Sequence, residues 1–234
     1  MERALLIPVK ELANAKQRLS PLLAPGERQE LARLMLSGVL EQVGGLAGPL
    51  RKVIVTSDEP AMALGGSMGF EIMPETQQIS ESDSVDRACA QLEREGVDGV
   101  LRVPLDLPLL AAGDLERVLA LADEGLAAVL VPSADGTGTN ALYRAPPGLF
   151  PSRFGPGSLA LHEQLARERG APYVVENLPS LALDIDDVAD LRALLGQEMA
   201  CPVKDFLEGL GVRARLEEAA SSGKGRTGEA KSGS

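Results

Sequence analysis

Gly99-Val100-Leu101-Arg102-Val103-Pro104-Leu105-Asp106-Leu107-Pro108, residues 99–108, is a mostly apolar run that ends in a carboxylate held between two prolines. A run with so little polar alternation predicts a strand buried on both faces, as parallel sheets require. Helical spacing on either side predicts a helix over 85–95, capped by Ser82, Asp83 or Ser84, and another from Gly113-Asp114 to about 123. A strand over 127–131 follows. Upstream, residues 4–9 and 52–56 read as buried strands and 69–74 as a shorter one. Leu31, Leu34, Met35, Val39 and Val43 place an amphipathic helix over 27–43, which Gly44-Gly45 ends. Ser57 or Asp58 caps a further helix through Leu64. Pro8 is expected to break the first strand, residues 10–25 to form a loop with a short helix, and 75–82 to cross the surface. Strands alternating with helices in this way predict βαβ units, hence a single α/β domain with a mostly parallel sheet and right-handed crossovers. Ligands of such sheets sit beyond the carboxyl ends of the strands. Loops 8–18, 56–60, 104–108 and 132–140 are therefore where chemistry is expected.

The rest of the chain narrows the class. Of 234 residues 44% are apolar and 24% charged, enough to bury a core, and the formal net charge of −11 argues against general nucleic-acid binding. Cys89 and Cys201 lie far apart without a CxxC pair, which excludes a disulfide scaffold and a structural zinc site. His162 is the sole histidine, so mechanisms that need two imidazoles are excluded. There is no apolar run of membrane-spanning length and no basic-then-apolar leader, so a cytoplasmic protein with no membrane partner is expected. Residues 173–175 and 181–184 read as strands and 187–195 as the last clear core helix. The small, polar composition of 217–234, with three acidic and three basic residues, predicts a disordered tail after a domain spanning 1–216.

Several segments carry candidate chemistry. Residues 1–33 hold six basic and four acidic residues in an otherwise acidic chain. A positive loop after the first strand suggests a phosphate-bearing ligand held by Lys16 and Arg18, and less by Lys10; the alternative is a solvated loop paired with nearby carboxylates. Asp106 at the end of its strand is placed to hold a divalent ion, and Asp184-Ile185-Asp186-Asp187 offers further carboxylates. For Asp187 a helix N-cap is an equal alternative, and Asp58 is better read as a cap. Asp135-Gly136-Thr137-Gly138-Thr139-Asn140 lacks the P-loop and dinucleotide patterns, yet its glycines and hydroxyls can approach an anion. Phe154-Gly155-Pro156-Gly157-Ser158 offers backbone amides and Ser158 at a helix N-terminus; an ordinary capped glycine turn is the alternative. His162, inside that helix, reads as a packing or surface residue, and Cys89 as core.

The order of these motifs is more specific than any one of them. Ile7-Pro8-Val9-Lys10, Ala15-Lys16-Gln17-Arg18-Leu19-Ser20-Pro21, Pro104-Leu105-Asp106-Leu107-Pro108-Leu109, the stretch from Asp135 to Leu142, Arg153 to Ser158, and Leu183-Asp184-Ile185-Asp186 resemble the CofC/FbiD family, the guanylyltransferases of coenzyme F420 biosynthesis. The resemblance runs from about residue 3 to 196. It implies a Rossmann-like, nucleotide-diphospho-sugar-transferase-like three-layer sandwich. The implied reaction joins GTP to 2-phospholactate, phosphoenolpyruvate or 3-phosphoglycerate and releases pyrophosphate. By matching position, the acid would meet Thr139, Gly155 and Ser158; Mg²⁺ would meet Asp106 and one or both of Asp184 and Asp186; Lys16 and Arg18 would lie along the nucleotide phosphates. A homodimer and hand-over of the product to the next F420 transferase step are also implied. Where the family commonly carries Gly-Leu-Asn-Ala, this chain has Ser82-Asp83-Ser84-Val85-Asp86-Arg87-Ala88-Cys89, a region expected to contact base or acid. Molybdenum-cofactor guanylyltransferases and isoprenoid cytidylyltransferases are rivals, disfavoured because Pro8-Val9-Lys10-Glu11-Leu12 lacks their glycine-rich loop. A non-catalytic nucleotide-binding protein of the same fold is a rival from another class.

Overall fold

β1 (Arg3–Val9) is buried from Ala4 to Val9 and lies in the middle of a seven-stranded sheet in a computed structural model, which describes residues 1–224. Its partners are β2 (Leu50–Thr56) on one side and β4 (Gly99–Arg102) on the other, both parallel. β3 (Glu71–Pro74) extends the sheet parallel to β2. Beyond β4 come β6 (Thr139–Arg144), antiparallel to both its neighbours, then β5 (Ala128–Pro132) and β7 (Tyr173–Val175), giving the order β3-β2-β1-β4-β6-β5-β7. The sheet is mostly parallel, as expected, with β6 running against it. Pro8 stays within β1, because the β1–β4 ladder ends at Leu6 opposite Arg102. Beyond that point its missing N–H has no strand to serve on that side.

Helices cover both faces. Leu5, Ile7 and Val9 point into a core with α1 (Pro25–Gly44), α2 (Glu59–Ser67), α4 (Ala112–Asp123) and the one-turn α6 (Pro179–Ala182). The alternate residues Ala4 and Leu6 meet α3 (Glu81–Arg94), while Ala128, Leu130 and Leu142 meet Phe150 and α5 (Ser158–Glu168). α3 begins earlier than its sequence suggests: Ser80, rather than a residue in 82–84, is the cap, its Oγ accepting from the Asp83 N–H at 3.1 Å. Residues 181–184 do not form a strand. Pro179 opens α6, and 183–186 then runs irregularly, its Ile185 N–H donating to the Asp106 carbonyl at 3.1 Å.

The core also continues past residue 195. α7 (Val188–Gly196), α8 (Pro202–Gly209) and α9 (Val212–Lys224) bury Leu191, Leu194, Val203, Leu207, Val212 and Leu216 against the outer side of α1. Arg215 clamps the Glu27 carboxylate through both guanidinium nitrogens at 2.8 and 2.9 Å. α9 thus carries regular structure to Lys224, into the segment expected to be disordered from 217; the remainder of that segment, 225–234, lies outside the described residues.

Gly99 opens β4 beneath Tyr143, whose phenol stands where a Cβ would be. Gly99→Val should therefore lower stability by about 1–3 kcal/mol through overpacking, read as a reduced urea midpoint at unchanged slope.

Candidate active site

Strand order reverses between β1 and β4, and the loop after β1 and the turn after β4 open at that reversal, where α/β sheets hold their ligands. After β1 two 3₁₀ turns, Leu12–Asn14 and Gln17–Leu19, bracket Lys16. The loop is tied down from outside: Asp58 caps α2 through Ala61 N–H and also accepts from Leu12 N–H at 2.9 Å. Lys16 sits at φ 55°, the non-glycine residue with positive φ among the described residues. Such a conformation is uncommon for a side-chain-bearing residue and here coincides with the site.

The Lys16 ammonium lies between two carboxylates, 2.7 Å from Asp106 Oδ2 and 3.0 Å from Asp186 Oδ1. Burial alone would lower the Lys16 pKa and raise that of Asp106; each is outweighed by the other's charge, so Lys16 is held above and Asp106 below its ordinary value. Asp184 stands beside them, accepting from the Asn140 amide at 3.2 Å. Its carboxyl is pushed up by burial and by the negative charge of Asp106. The same Asn140 amide holds the carbonyls of Leu181 and Ala182, so one side chain seats the whole 181–184 segment. Asp187 caps α7, accepting from Ala189 N–H at 2.7 Å, which settles its alternative in favour of the cap.

Two cavities meet over these charges. The smaller, about 550 Å³, is lined by Asp106, Thr139, Gly155, Ser158, Asp184 and Asp186 among others. The larger, about 720 Å³, is lined by Lys10, Lys16, Gln17 and Gln78. Arg18, Asp106 and Asp186 border both, and both volumes suit small-molecule ligands. Lys10 and Arg18 are exposed, with no protein partner among the described residues. Every residue singled out from the sequence as a site residue thus lines this double cleft.

The smaller cavity differs in detail from expectation. Ser158 N–H donates to the Gly155 carbonyl and Leu159 N–H to the Thr137 carbonyl, both at 3.1 Å, so these two amides at the start of α5 are already used. The hydroxyls of Ser158 and Thr139 stand beside them. Ser158 Oγ lies 3.3 Å from Thr139 Oγ1, and His162 Nδ1 lies 3.0 Å from that same oxygen. Asp135 turns inward on its own loop, accepting from Ser133 Oγ and from the N–H and hydroxyl of Thr137, which holds its carboxyl down at about 2. His162 is fully buried. Its Nε2 accepts from Arg153 N–H at 2.9 Å, so the ring proton belongs on Nδ1 and is donated to Thr139. The Thr139 hydroxyl, which also accepts from Ser158 Oγ, keeps its own proton for a bound anion.

The region 82–89 meets neither cavity as a base reader. Ser82 Oγ accepts from Phe154 N–H at 3.0 Å, and Asp86 accepts from Ser152 N–H at 3.0 Å, so the start of α3 clamps the segment leading to Ser158. The sequence reading also missed Arg102, buried in the last position of β4 and lining the smaller cavity; its signal was a lone arginine inside an apolar strand.

Carboxylates and an ammonium thus gather at the switch point of the sheet between two ligand-sized cavities, and the relatives that share this chain's sequence are nucleotidyltransferases. More particularly, the chain belongs to the CofC-like guanylyltransferase family, whose model, described as "Guanylyl transferase CofC like", matches residues 3–227. It is 37% identical over 193 residues to the phosphoenolpyruvate guanylyltransferase of Rubrobacter xylanophilus, covering 81% of this chain and 91% of that one. It is 32% identical over 211 residues to the 2-phospho-L-lactate guanylyltransferase of Methanothermobacter thermautotrophicus, covering 90% and 92%. A solved structure from Desulfovibrio desulfuricans G20, provisionally assigned as a nucleotide-diphospho-sugar transferase, shares the fold at TM-score 0.73 and 16% identity, covering 93% of this chain and 98% of that one. The 4-diphosphocytidyl-2C-methyl-D-erythritol synthase of Anaerococcus prevotii shares it at TM-score 0.59 and 10% identity, covering 88% and 96%. No helix among the described residues is long and apolar enough to cross a membrane.

Burial, reinforced by the positive charges of Arg144, Arg102 and Arg153, pushes His162 from the usual 6.5 down to about 3. The unfolded chain therefore binds a proton that the folded one refuses, and stability conferred above pH 6.5 is lost as pH falls toward 3, by at most about 1.4 kcal/mol per pH unit. His162→Gln should lose stability less steeply than the wild type between about pH 6.5 and 4 in urea titrations. Equal slopes would show that His162 is not held neutral.

Proposed function

We propose that this protein joins GTP to a small phosphorylated carboxylic acid, releasing pyrophosphate, as a step of coenzyme F420 biosynthesis. Phosphoenolpyruvate is the first candidate acid, with 2-phospholactate and 3-phosphoglycerate behind it. The relatives' activities support the reaction class, and one observation carries it to these residues: a lysine ammonium shared by Asp106 and Asp186 where two cavities meet. In this reading GTP occupies the larger cavity, with Lys10 and Arg18 along its phosphates, and the acid occupies the smaller, against Thr139 and Ser158.

The phosphate of the acid is the nucleophile. One of its oxygens forms a bond to the α-phosphorus of GTP, and the bond from that phosphorus to the bridging oxygen breaks, its electron pair leaving with pyrophosphate. A phosphate monoester is already largely dianionic at neutral pH, so no side chain has to remove a proton, and a neutral buried histidine costs the reaction nothing. The difficulty is electrostatic, because both reactants are anions. Lys16 and Arg18 offset that repulsion, and the hydroxyls of Thr139 and Ser158 orient the acid.

The donor set also suits Mg²⁺. Asp106 Oδ2 and Asp186 Oδ1 can be no farther apart than their two bonds to Lys16 laid end to end, and both are hard oxygen donors. Among the described residues no group of three or more acidic, histidine or cysteine side chains could hold a metal ion. A carboxylate pair nevertheless matches an ion that keeps water and substrate phosphates as its other ligands. Asp106 and Asp186 would hold it, with Asp184 next to them. When bound, Mg²⁺ supplies charge neutralisation on the phosphates.

The test is pyrophosphate release with GTP, CTP or ATP against each of the three acids. GTP with phosphoenolpyruvate should give the highest turnover, and Asp106→Asn should lower kcat by about a hundredfold or more with magnesium present. Near-normal turnover in Asp106→Asn would overturn the assignment of that carboxylate. Absence of pyrophosphate with every pair would leave a nucleotide-binding protein without this activity.

A further inference from the structure

Arg102 is the cation that the proposed reaction has not used. Its side chain is 5% exposed, and it borders the smaller cavity but not the larger. The backbone fixes the guanidinium from one side: Nη1 donates to the carbonyls of Asn140 at 3.0 Å and Thr139 at 3.4 Å. The Phe154 ring supports it face-on, 4.0 Å from centroid to Cζ. Nη2 pairs with Glu81, and Nε is buried without a hydrogen-bond partner. Burial holds the group down to about 10, against the opposing pull of Asp106 and Asp184, so it stays charged.

Its partner is of another kind. The Glu81 side chain is 27% exposed and borders both cavities, so it can turn from one to the other without entering the core. The smaller cavity is otherwise rich in carboxylates, with Arg18 and Arg102 as the cations among its described lining residues. An anionic ligand there needs a buried positive partner at the end away from the reacting phosphate. Arg18, which borders both cavities, belongs to the junction; Arg102 is the cation confined to the inner space.

We propose that Arg102 receives the carboxylate of the small acid, and that Glu81 occupies that place in the ligand-free protein and is displaced when the acid binds. The inference rests on the reading given under Proposed function and deepens it: the substrate is a phosphate ester that also carries a carboxylate, and the carboxylate is what Arg102 selects. A planar guanidinium fixed by two carbonyls and a ring offers a carboxylate a fork of matching geometry, which an ammonium would not. The exchange of one carboxylate for another leaves the buried charge paired throughout, avoiding the penalty of an uncompensated ion.

Calorimetric binding to the whole protein tests this, with phosphoenolpyruvate, 2-phospholactate, 3-phosphoglycerate and the carboxylate-free ethyl phosphate as probes. Arg102→Met should weaken phosphoenolpyruvate by about ten- to a hundredfold while leaving ethyl phosphate and GTP unchanged. Glu81→Gln should move the other way, tightening phosphoenolpyruvate several-fold, because it removes a competing anion from Arg102. A purely structural ion pair would weaken acid binding in both variants, and that result overturns the proposal. So does equal weakening of phosphoenolpyruvate and ethyl phosphate in Arg102→Met, which would place Arg102 on the phosphate. If Arg102→Met does not fold by circular dichroism, Glu81→Gln decides alone: tighter binding supports the proposal, unchanged or weaker binding overturns it. Wild-type protein that binds none of the three acids overturns the functional reading together with this inference; wild-type binding with unmoved variants overturns the inference alone.

Discussion

Carboxylates crowded at the carboxyl end of a sheet repel one another, and here a single ammonium holds them together. Lys16 reaches Asp106 from the loop after β1 and Asp186 from the segment before α7, joining elements 90 and 170 residues away in sequence. The rest of the structure makes that contact attainable. β1 and β4 are adjacent and parallel, so the loops that follow them open side by side. Asp58 anchors the Lys16 loop through Leu12, and the Asp106 carbonyl anchors the 183–186 segment through Ile185. The left-handed backbone at Lys16 is tolerated because these anchors over-determine it. Charge density of this kind is a poor way to stabilise a fold, because each buried ion carries a desolvation penalty that pairing only partly returns.

The smaller cavity depends on a second framework, and it is built by α3. Ser82 and Asp86 fix the backbone of Phe154 and Ser152, Asp86 and the Phe150 carbonyl pair with Arg144, and Glu81 pairs with Arg102. The region in which this chain departs from the common family pattern, 82–89, therefore fixes the backbone of the segment that walls the smaller cavity. His162 belongs to the same framework as a positioning residue. It is packed edge-on against Phe154 at 5.3 Å and passes a hydrogen bond from Arg153 N–H to Thr139 without changing charge.

Much of this was legible because strand-end logic is local. A buried run that stops at Pro104-Leu105-Asp106 announces both the strand and the carboxylate beyond it, and the basic loop after β1 announces its counter-charge. Distance in three dimensions was not legible, so the pairing of Lys16 with two particular aspartates had to come from the sheet order. Three apolar residues, Leu181 to Leu183, fit a strand as well as a helical turn, and Pro179 at the first helical position decided for the turn. α8 and α9 were hidden because Val203, Leu207, Val212 and Leu216 are sparse among polar neighbours, and their value appears only against the outer face of α1. Arg102 was hidden for a related reason: a single polar residue in an apolar stretch carries no periodicity, and its role depends on partners from other elements.

The electrostatic assignment is tested most directly by an anomalous-scattering map of crystals grown with Mn²⁺ and a non-hydrolysable GTP analogue. One strong manganese peak within coordinating distance of Asp106 and Asp186, with the Lys16 ammonium turned from the carboxylates toward the nucleotide phosphates, is the expected result. Manganese bound elsewhere, with Lys16 still bridging both aspartates and the nucleotide outside the larger cavity, would contradict it.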